Sequence, residues 1–400
     1  MYGIAILGYG VVGSGVAEVL DKNADRVSKN AGKELKLKYI LDVRDFPGDP
    51  YADKMIKDFS VIENDPEVRV VAETIGGVGV AQEFTRRALA AGKSVVTSNK
   101  ELVAKFGCEL IKLAEEKGAN YLFEASVGGG IPILRPIIQC LAANVITEIY
   151  GILNGTTNYI LTQMINEGLP FDTALKQAQE AGYAEADPTS DVEGIDACRK
   201  ISILADLTFG RNLDPEWIKT AGIRTVTAQD VKFAAVADCK IKLLGRAVQD
   251  NDGKITAYVA PHLVPLDNML SGVEGVMNGI VVRGNALGDA MFYGAGAGKL
   301  PTASAVVADI IDAAKHEKLR KLVSWDEGDI SMMRDSAELR SCWYVRVAGA
   351  QETVEEKLPD AIVLGEEDGN VGFVLSQVSK SAVDAALAEF EVLTLFRVLE

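Results

Sequence analysis

Residues 2–13 read YGIAILGYGVVG, a short apolar run that ends in glycines spaced as G-x-G-x-x-G. In dinucleotide-binding folds the first glycine permits a tight turn, the second lets the backbone approach a pyrophosphate, and the third lets helix and strand pack closely. An amphipathic helical pattern follows, from about Val11 to Ala31. The segment therefore predicts a strand, a turn and a helix that bind NAD or NADP, although a glycine-rich turn without a ligand is the alternative. The predicted cofactor contacts are Gly8, Gly10, Val11, Val12 and Gly13.

More strands alternate with helical patterns over the next 120 residues. The predicted strands are Leu35–Val43, Val68–Ile75, Ser94–Thr97 and Asn120–Glu124. Such alternation is typical of a parallel, doubly wound sheet with helices on both faces. Residues 1–130 are therefore predicted to form a Rossmann-type α/β nucleotide domain.

The pattern changes after Pro132. A helix is predicted at about Ile133–Leu141, and a hairpin turn at Gln249–Lys254 is flanked by apolar strands. We expect residues 131–315 to form an α+β domain whose last helix, residues 301–314, packs back on the nucleotide domain. Residues 316–335 are charged and predicted to be a linker, and residues 336–400 a small α+β module.

Composition restricts the function further. The formal net charge of −16 argues against binding nucleic acid or anionic membranes. Five cysteines without a CxxC pair indicate reduced thiols in a cytoplasmic protein, with neither disulfides nor a zinc site. Only two histidines are present, so acid–base chemistry centred on histidine is not expected.

An acidic loop runs from Gly182 to Lys200, and its last carboxylate, Asp196, precedes Lys200 by four residues. If this part is helical, both side chains share one face. The pair suits a site that binds a cationic substrate and moves a proton with a lysine. The alternative is an acidic surface loop followed by an ordinary ion pair.

Polar residues also follow the predicted strands. Asp42 and Arg44 stand where an acid would bind the ribose hydroxyls of NAD and an arginine the 2′-phosphate of NADP, which leaves the choice of nucleotide open. Lys100 follows the strand that ends at Thr97, so it either faces the nicotinamide or is solvent-exposed and idle.

Two further loops are ambiguous. The segment from Glu124 to Ile131 is rich in glycine and is more simply a turn than a cation site, although its carbonyls suit a hard cation. Asn154–Asn158 leaves a strand and enters a helix, where it can receive a substrate carboxylate, cap the helix, or do both.

Six ordered motifs in residues 1–315 together resemble homoserine dehydrogenase in type, order and spacing. They are Gly8–Gly13, Thr97–Lys100, Glu124–Pro132, Asn154–Asn158, Gly182–Lys200 and Gly294–Asp309. The resemblance implies NAD(P)-dependent interconversion of L-homoserine and L-aspartate 4-semialdehyde, a step toward threonine, methionine and isoleucine. It also implies a homodimer or higher homo-oligomer that uses residues 131–315 for substrate binding and dimerisation.

The resemblance assigns roles to residues by position. Lys200, Lys100 and Asp196 resemble the catalytic set, and Glu185 resembles a second substrate carboxylate. The other implied contacts are Thr156 and Tyr183 for substrate, Arg44, Thr97, Gly182 and Gly298 for cofactor, and Glu124, Val127, Gly129 and Ile131 for a sodium ion.

The chemistry of homoserine agrees with these roles. Carboxylates suit its ammonium group, and as a hydride leaves C4 for the nicotinamide, Lys200 is a plausible acceptor for the hydroxyl proton. A related Rossmann dehydrogenase of another small amino acid or semialdehyde, or a non-catalytic NAD(P)-sensing protein, is the alternative. The second would need the cluster of Lys200 and Glu185 to be idle.

The C-terminal module resembles an ACT-type regulatory domain in its order of strands and helix. It departs from the usual pattern after Gly349, where residues 350–357 are expected to replace both the effector loop and the first helix. Threonine inhibition is therefore in doubt, and a dimerisation or structural role is at least as consistent with the sequence.

Overall fold

The computed structural model describes residues 2–317 and 323–400. The predicted linker at 316–335 lies partly outside them, because residues 318–322 are not described. The chain divides into two compact units. Unit 1 comprises residues 1–144, 202–215 and 294–328, and unit 2 comprises residues 145–201, 216–293 and 329–400.

Unit 1 contains a six-stranded parallel sheet, which confirms the predicted doubly wound α/β fold. The sheet order is β3-β2-β1-β4-β5-β6. The order in which strands are added therefore reverses between β1 and β4, as in nucleotide-binding sheets. The elements are β1 (Tyr2–Leu7), α1 (Val11–Lys22), α2 (Ala24–Ala31), β2 (Leu35–Leu41), β3 (Met55–Ile56), α3 (Ser60–Asn64), β4 (Val68–Glu73), α4 (Gly79–Ala90), β5 (Ser94–Thr97), α5 (Lys100–Glu116) and β6 (Tyr121–Leu122).

The β1–α1 connection shows why its glycines are needed. All six residues of β1 are buried, because β1 lies at the centre of the sheet. A Cβ atom on Gly13 would lie 1.9 Å from the carbonyl oxygen of Gly8, so only glycine lets α1 begin this close to the strand. A Cβ atom on Gly10 would meet nothing within 4 Å, which leaves its backbone open to a ligand.

Unit 2 contains a mixed ten-stranded sheet, most of it antiparallel. Its main order is β12-β11-β7-β9-β10-β16-β13-β15-β14, and β8 pairs with β10. The remaining elements of the chain are β7 (Ile146–Ile152), α6 (Gly155–Glu167), α7 (Phe171–Glu180), α8 (Thr189–Val192), α9 (Ile195–Phe209), β8 (Lys219–Thr220), α10 (Ala228–Val236), β9 (Cys239–Gln249), β10 (Ile255–Pro265), β11 (Met277–Gly284), β12 (Gly288–Ala295), α11 (Lys299–Lys315), β13 (Ser341–Ala348), α12 (Gln351–Lys357), β14 (Ile362–Glu367), β15 (Asn370–Val378), α13 (Lys380–Ala386) and β16 (Glu391–Val398).

The C-terminal strands continue the sheet of unit 2. β16 pairs in parallel with β10 through His262–Arg397 and Leu263–Val398, and β13, β15 and β14 follow beyond it. The element order from β13 to β16 is strand, helix, strand, strand, helix, strand. The expectation that this module lacks its first helix is wrong, because Gln351–Lys357 is helical. Val354 of that helix is buried in the module's core, and tertiary packing stabilises the short helix.

Two other predicted helices differ from the structure. The pattern over residues 11–31 forms two helices, because Asn23 leaves helical geometry and acts as the N-cap of α2. The segment predicted as a helix at Ile133–Leu141 contains a single π-helical turn, Pro136–Cys140. Pro136 lacks a backbone N–H and cannot continue the hydrogen bonds of an α-helix from the preceding turn. In the described parts of the chain, every helix is too short or too polar to span a membrane.

Candidate functional site

The turn between β1 and α1 opens onto a cavity of 700 Å³ within unit 1. Gly10 is the N-cap of α1 and provides no side-chain cap, while Val11, the first residue of the helix, is largely exposed. The first N–H groups of a helix carry partial positive charge and suit a phosphate. This end of the cavity therefore has the geometry of a pyrophosphate site.

Arg44 lines the same cavity, and both Asp42 and Arg44 lie just after the end of β2. The Asp42 carboxylate accepts the backbone N–H of Tyr9 at 2.7 Å and two side-chain N–H groups of Arg44 at 2.9 and 3.0 Å. The Arg44 guanidinium holds the pKa of Asp42 well below its usual range. Arg44 itself is more than half exposed and lies over the Phe46 ring. Asp42 and Arg44, the two residues for which the sequence left the choice between NAD and NADP open, are thus paired with each other.

The loop after β5 is organised by a buried acid that the sequence analysis did not select. Glu73, the last residue of β4, is fully buried and accepts the Thr97 hydroxyl at 2.6 Å and the Ile75 N–H at 2.7 Å. Burial raises its pKa. Asn99 caps α5 through the Leu102 N–H, so Lys100 occupies the first position of that helix. An acid directly after the apolar residues Val70–Ala72 was the available signal for Glu73.

In the glycine-rich loop after β6, the carboxylate of Glu124 has a structural role. The Glu124 carboxylate accepts three backbone N–H groups at 2.6–2.9 Å, from Ile133, Leu134 and Arg135. Its own N–H donates to Asp309, a buried carboxyl whose pKa burial raises to about 7. Described residues contain no group of three or more His, Cys, Asp or Glu side chains suited to a metal. A cation at this loop would therefore depend on backbone carbonyls such as those of Val127, Gly129 and Ile131.

Gly298 also belongs to unit 1, where it is the N-cap of α11 with a φ of +123°. Its carbonyl accepts the N–H of Thr302 at 3.1 Å. This positive φ is strained for other residues, so glycine is required where the chain enters the helix. The resemblance places Gly298 beside the cofactor, and the structure puts it at a helix start.

In unit 2 the predicted pair on α9 is formed and buried. The Nζ of Lys200 lies 2.7 Å from Asp196 Oδ2 and 2.7 Å from the Leu153 carbonyl oxygen. Lys200 is 7% exposed and Asp196 is 4% exposed. A surface ion pair would have been solvated, so the pair is part of an interior polar cluster rather than an ordinary exposed pair.

Asn154 connects this pair to the neighbouring loops. Its Nδ2 donates to Asp191 at 2.7 Å and to Asp196 at 2.9 Å, while its Oδ1 caps α6 by accepting the Thr157 N–H at 2.8 Å. Burial raises the pKa of Asp191, and the nearby Asp196 adds to this shift. The sequence analysis did not assign a role to Asp191, although it stands in the acidic loop. Thus three elements of unit 2 converge on the lysine: the end of β7, the start of α6 and α9.

Two further predicted substrate residues, Tyr183 and Glu185, lie in the loop after α7, and Thr156 lies at the start of α6. Thr156 donates its hydroxyl to the Tyr183 carbonyl oxygen at 2.6 Å, which ties the start of α6 to this loop. The Tyr183 ring packs 4.9 Å from that of Tyr159. Gly182 has a φ of +75°, and Glu185 is exposed. The structure therefore joins Thr156 to this loop and leaves the Glu185 side chain at its surface.

The chain matches two family models, the homoserine dehydrogenase NAD-binding domain over residues 8–124 and homoserine dehydrogenase over residues 132–311. It is 38% identical to homoserine dehydrogenase of Neisseria gonorrhoeae, over 98% of this chain and 91% of that protein.

Solved structures give the same result. The fold is similar to a homoserine dehydrogenase from Thiobacillus denitrificans, with a TM-score of 0.89 and 34% identity over 100% of this chain and 98% of the other. It is also similar to a hyperthermophilic archaeal homoserine dehydrogenase in complex with NADPH, with a TM-score of 0.67 and 32% identity over 78% and 97% of the two chains. The two alternatives considered from the sequence, another Rossmann dehydrogenase and a non-catalytic sensor, are not favoured. The chain belongs to the homoserine dehydrogenase family, a family of NAD(P)-dependent oxidoreductases.

Proposed function

We propose that Lys200 is the proton acceptor and donor when this chain interconverts L-homoserine and L-aspartate 4-semialdehyde. The observation that carries this assignment is the buried contact of Lys200 with Asp196 and the Leu153 carbonyl. The nicotinamide, when bound, accepts a hydride from C4 of homoserine. The hydroxyl proton must leave at the same time as the C=O bond forms, and a positioned side chain lowers that barrier.

The hydrogen bonds of Lys200 suit this step. The Asp196 carboxylate and the Leu153 carbonyl, each 2.7 Å from Nζ, hold the amine in a fixed position. In its neutral form, an amine takes the hydroxyl proton through its lone pair. Asp196 stabilises the ammonium that forms and fixes its position, because Asn154 holds the carboxylate from the other side.

The acidic loop supplies the recognition of the substrate's ammonium group. Glu185 is exposed on that loop, where its carboxylate is accessible to a ligand, and Asp196 lies beside the lysine. Charge-assisted hydrogen bonds from an ammonium to carboxylates are about twice as strong as neutral ones. The start of α6, with Thr156 and the helix N–H groups, suits the substrate carboxylate, and Tyr183 packs beside it against Tyr159.

The cofactor is NAD(P), held by residues that fit its parts. The N-terminus of α1 suits the pyrophosphate, and Thr97, Lys100, Gly182 and Gly298 are assigned to the cofactor from the resemblance. Arg44 suits a 2′-phosphate once it turns away from Asp42, and its exposure leaves room for that movement. We therefore expect both nucleotides to be accepted.

We further propose that a sodium ion binds the loop of Glu124, Val127, Gly129 and Ile131 through backbone carbonyls. The Glu124 carboxylate is already occupied by three N–H groups and so supports the loop's shape. Hard cations prefer oxygen ligands, and carbonyls satisfy that preference.

The domain functions and assembly are proposals as well. Residues 1–130 would bind nucleotide, residues 131–315 would bind substrate and dimerise, and residues 336–400 would form an ACT-like regulatory or dimerisation module after the 316–335 segment. β12 is an edge strand of the sheet in unit 2, and it exposes Tyr293. A second copy of the chain can pair with this open edge. The five cysteines form no disulfide, which fits a cytoplasmic location.

The assay that tests this function follows nicotinamide reduction by absorbance, with L-homoserine and either NAD or NADP. We expect reduction with L-homoserine and none with L-aspartate or malate. Reduction with malate but not with homoserine would overturn the substrate assignment.

A further inference from the structure

We propose that a cavity at the C-terminal side of unit 2 binds a small molecule that carries one carboxylate and an apolar body. The cavity has a volume of 520 Å³, within the range of small-molecule sites. It is lined by β8 and the residues after it (219–222), by the middle of β10 (258–261), by Ser336 and Ala337, and by Trp343, Lys380 and the end of β16. Among the described residues, none of those lining it belongs to the 350–357 segment after β13.

The central observation is the state of Arg397 on the cavity wall. It is 5% exposed and lies between two aromatic rings, 4.9 Å from the Tyr258 centroid and 4.2 Å from that of Trp343. Its hydrogen bonds go to neutral acceptors, the Ser341 hydroxyl at 2.6 Å and the carbonyls of Leu339 and Ser336. No carboxylate of the described chain lies within ion-pair distance of it. The Asp335 carboxylate attracts Arg397 from beyond ion-pair distance. Burying such a charge without a directly paired counterion is costly, and an anionic ligand would supply one.

The other charges at the cavity compensate one another. Lys219 is paired with Asp335, and Lys380 is paired with Asp384. Arg397 therefore contributes one net positive charge to the cavity, which suits a monoanion better than a phosphate dianion. Guanidinium groups bind carboxylates through two parallel hydrogen bonds. Apolar side chains such as Val259, Pro261 and Phe396 complete the lining and favour an aliphatic body for the ligand.

The cavity also adjoins residues that pack against the segment before α9. This helix carries Asp196 and Lys200. The Ile223 N–H donates to the Val192 carbonyl at 2.9 Å, and a Cβ atom on Gly222 would lie 2.0 Å from that oxygen. The segment that follows β8 therefore packs directly on the residues that precede α9. A ligand that contacts Gly222 therefore acts, through the contact with Val192, on the position of the start of α9. We expect it to change the affinity for L-homoserine, and linkage requires that homoserine change the affinity for the ligand by the same factor.

Isothermal titration calorimetry with the full-length protein tests the proposal without using activity. The probes are acetate and isovalerate, each compared with its neutral amide. We expect at least one carboxylate to bind and its amide to be at least tenfold weaker. Adding saturating L-homoserine should change the affinity for that carboxylate by roughly fivefold or more.

Arg397 also donates hydrogen bonds to backbone carbonyls, so its substitution can disturb folding. A variant that fills the cavity is therefore the better test of where the ligand binds. Ala337→Phe fills the cavity, and Ala350→Phe adds the same ring at an exposed position outside it. We expect Ala337→Phe to abolish binding while homoserine turnover is retained, and Ala350→Phe to bind normally. Equal binding of the amides, unchanged binding in Ala337→Phe, or no heat with any probe up to millimolar concentrations would overturn the proposal.

Discussion

Replacing Lys200 with methionine removes the amine while keeping a side chain of similar length. The Nζ of Lys200 makes two contacts at 2.7 Å, one to Asp196 and one to the Leu153 carbonyl. Loss of a general base at the reacting hydroxyl should lower kcat by about 10²–10⁴-fold, or about 3–5 kcal/mol of transition-state stabilisation. Nucleotide affinity should stay within about twofold, because the cofactor turn and Arg44 belong to unit 1.

The same substitution has a structural cost that must be separated from the catalytic one. Asp196 is 4% exposed, and the substitution removes its ion-pair partner while the Asn154 donor stays at 2.9 Å. Breaking a buried ion pair on one side costs about 3–5 kcal/mol of folding free energy. The double variant Lys200→Met/Asp196→Asn removes the uncompensated charge, so it should regain most of the lost stability and none of the lost turnover.

Stopped-flow and steady-state absorbance at saturating L-homoserine, with urea unfolding on the same samples, measure both effects. Lys242→Met is the matched control, since Lys242 is a second fully buried lysine of unit 2 that bonds to Val273 and Asn158. It should lose stability with kcat within about tenfold of the parent. A Lys200→Met variant with near-normal turnover, or a double variant in which turnover recovers with stability, would refute the reasoning.

Four further predictions follow from single contacts. Glu185→Ala should raise KM for L-homoserine by about 10–100-fold with a smaller change in kcat, because a charge-assisted contact to the ammonium is lost; unchanged KM excludes that contact. Glu73→Ala should raise KM for the nucleotide by loosening the Thr97 loop, while Glu73→Gln, which keeps an acceptor, should restore most of it, as nucleotide titrations would reveal. Arg44→Ala should weaken NADP by about 10–100-fold and NAD by less than threefold, measured by KM for each. His262 is buried and neutral, with its pKa lowered to about 3, whereas it titrates near 6.5 when unfolded. The unfolded state therefore binds the extra proton between these values, so stability should fall as pH drops from 6.5 toward 3, and urea unfolding of His262→Phe should show a flatter slope over that range.

Local patterns in the sequence carried part of this structure. The glycine spacing at Gly8–Gly13 depends on contacts within one turn, and the pairing of Asp196 with Lys200 depends on helical spacing alone. Both could be predicted because the interacting groups lie within a few residues of one another.

Contacts between distant segments could not be predicted in the same way. Asn154 meets Asp196 across 42 residues, and Glu73 meets Thr97 across 24. Neither pair has a spacing signature, because adjacent elements of the fold bring them together. The helix at Gln351–Lys357 was missed for a related reason, since its burial of Val354 comes from the module's core rather than from its own sequence.

A crystal structure of the abortive complex with NADPH and L-homoserine tests the central claim most directly. We predict that the homoserine hydroxyl oxygen lies within about 3.2 Å of the Lys200 Nζ, with C4 facing the nicotinamide ring. A hydroxyl more than about 5 Å from that nitrogen, and within hydrogen-bond distance of a different titratable group, would contradict the account.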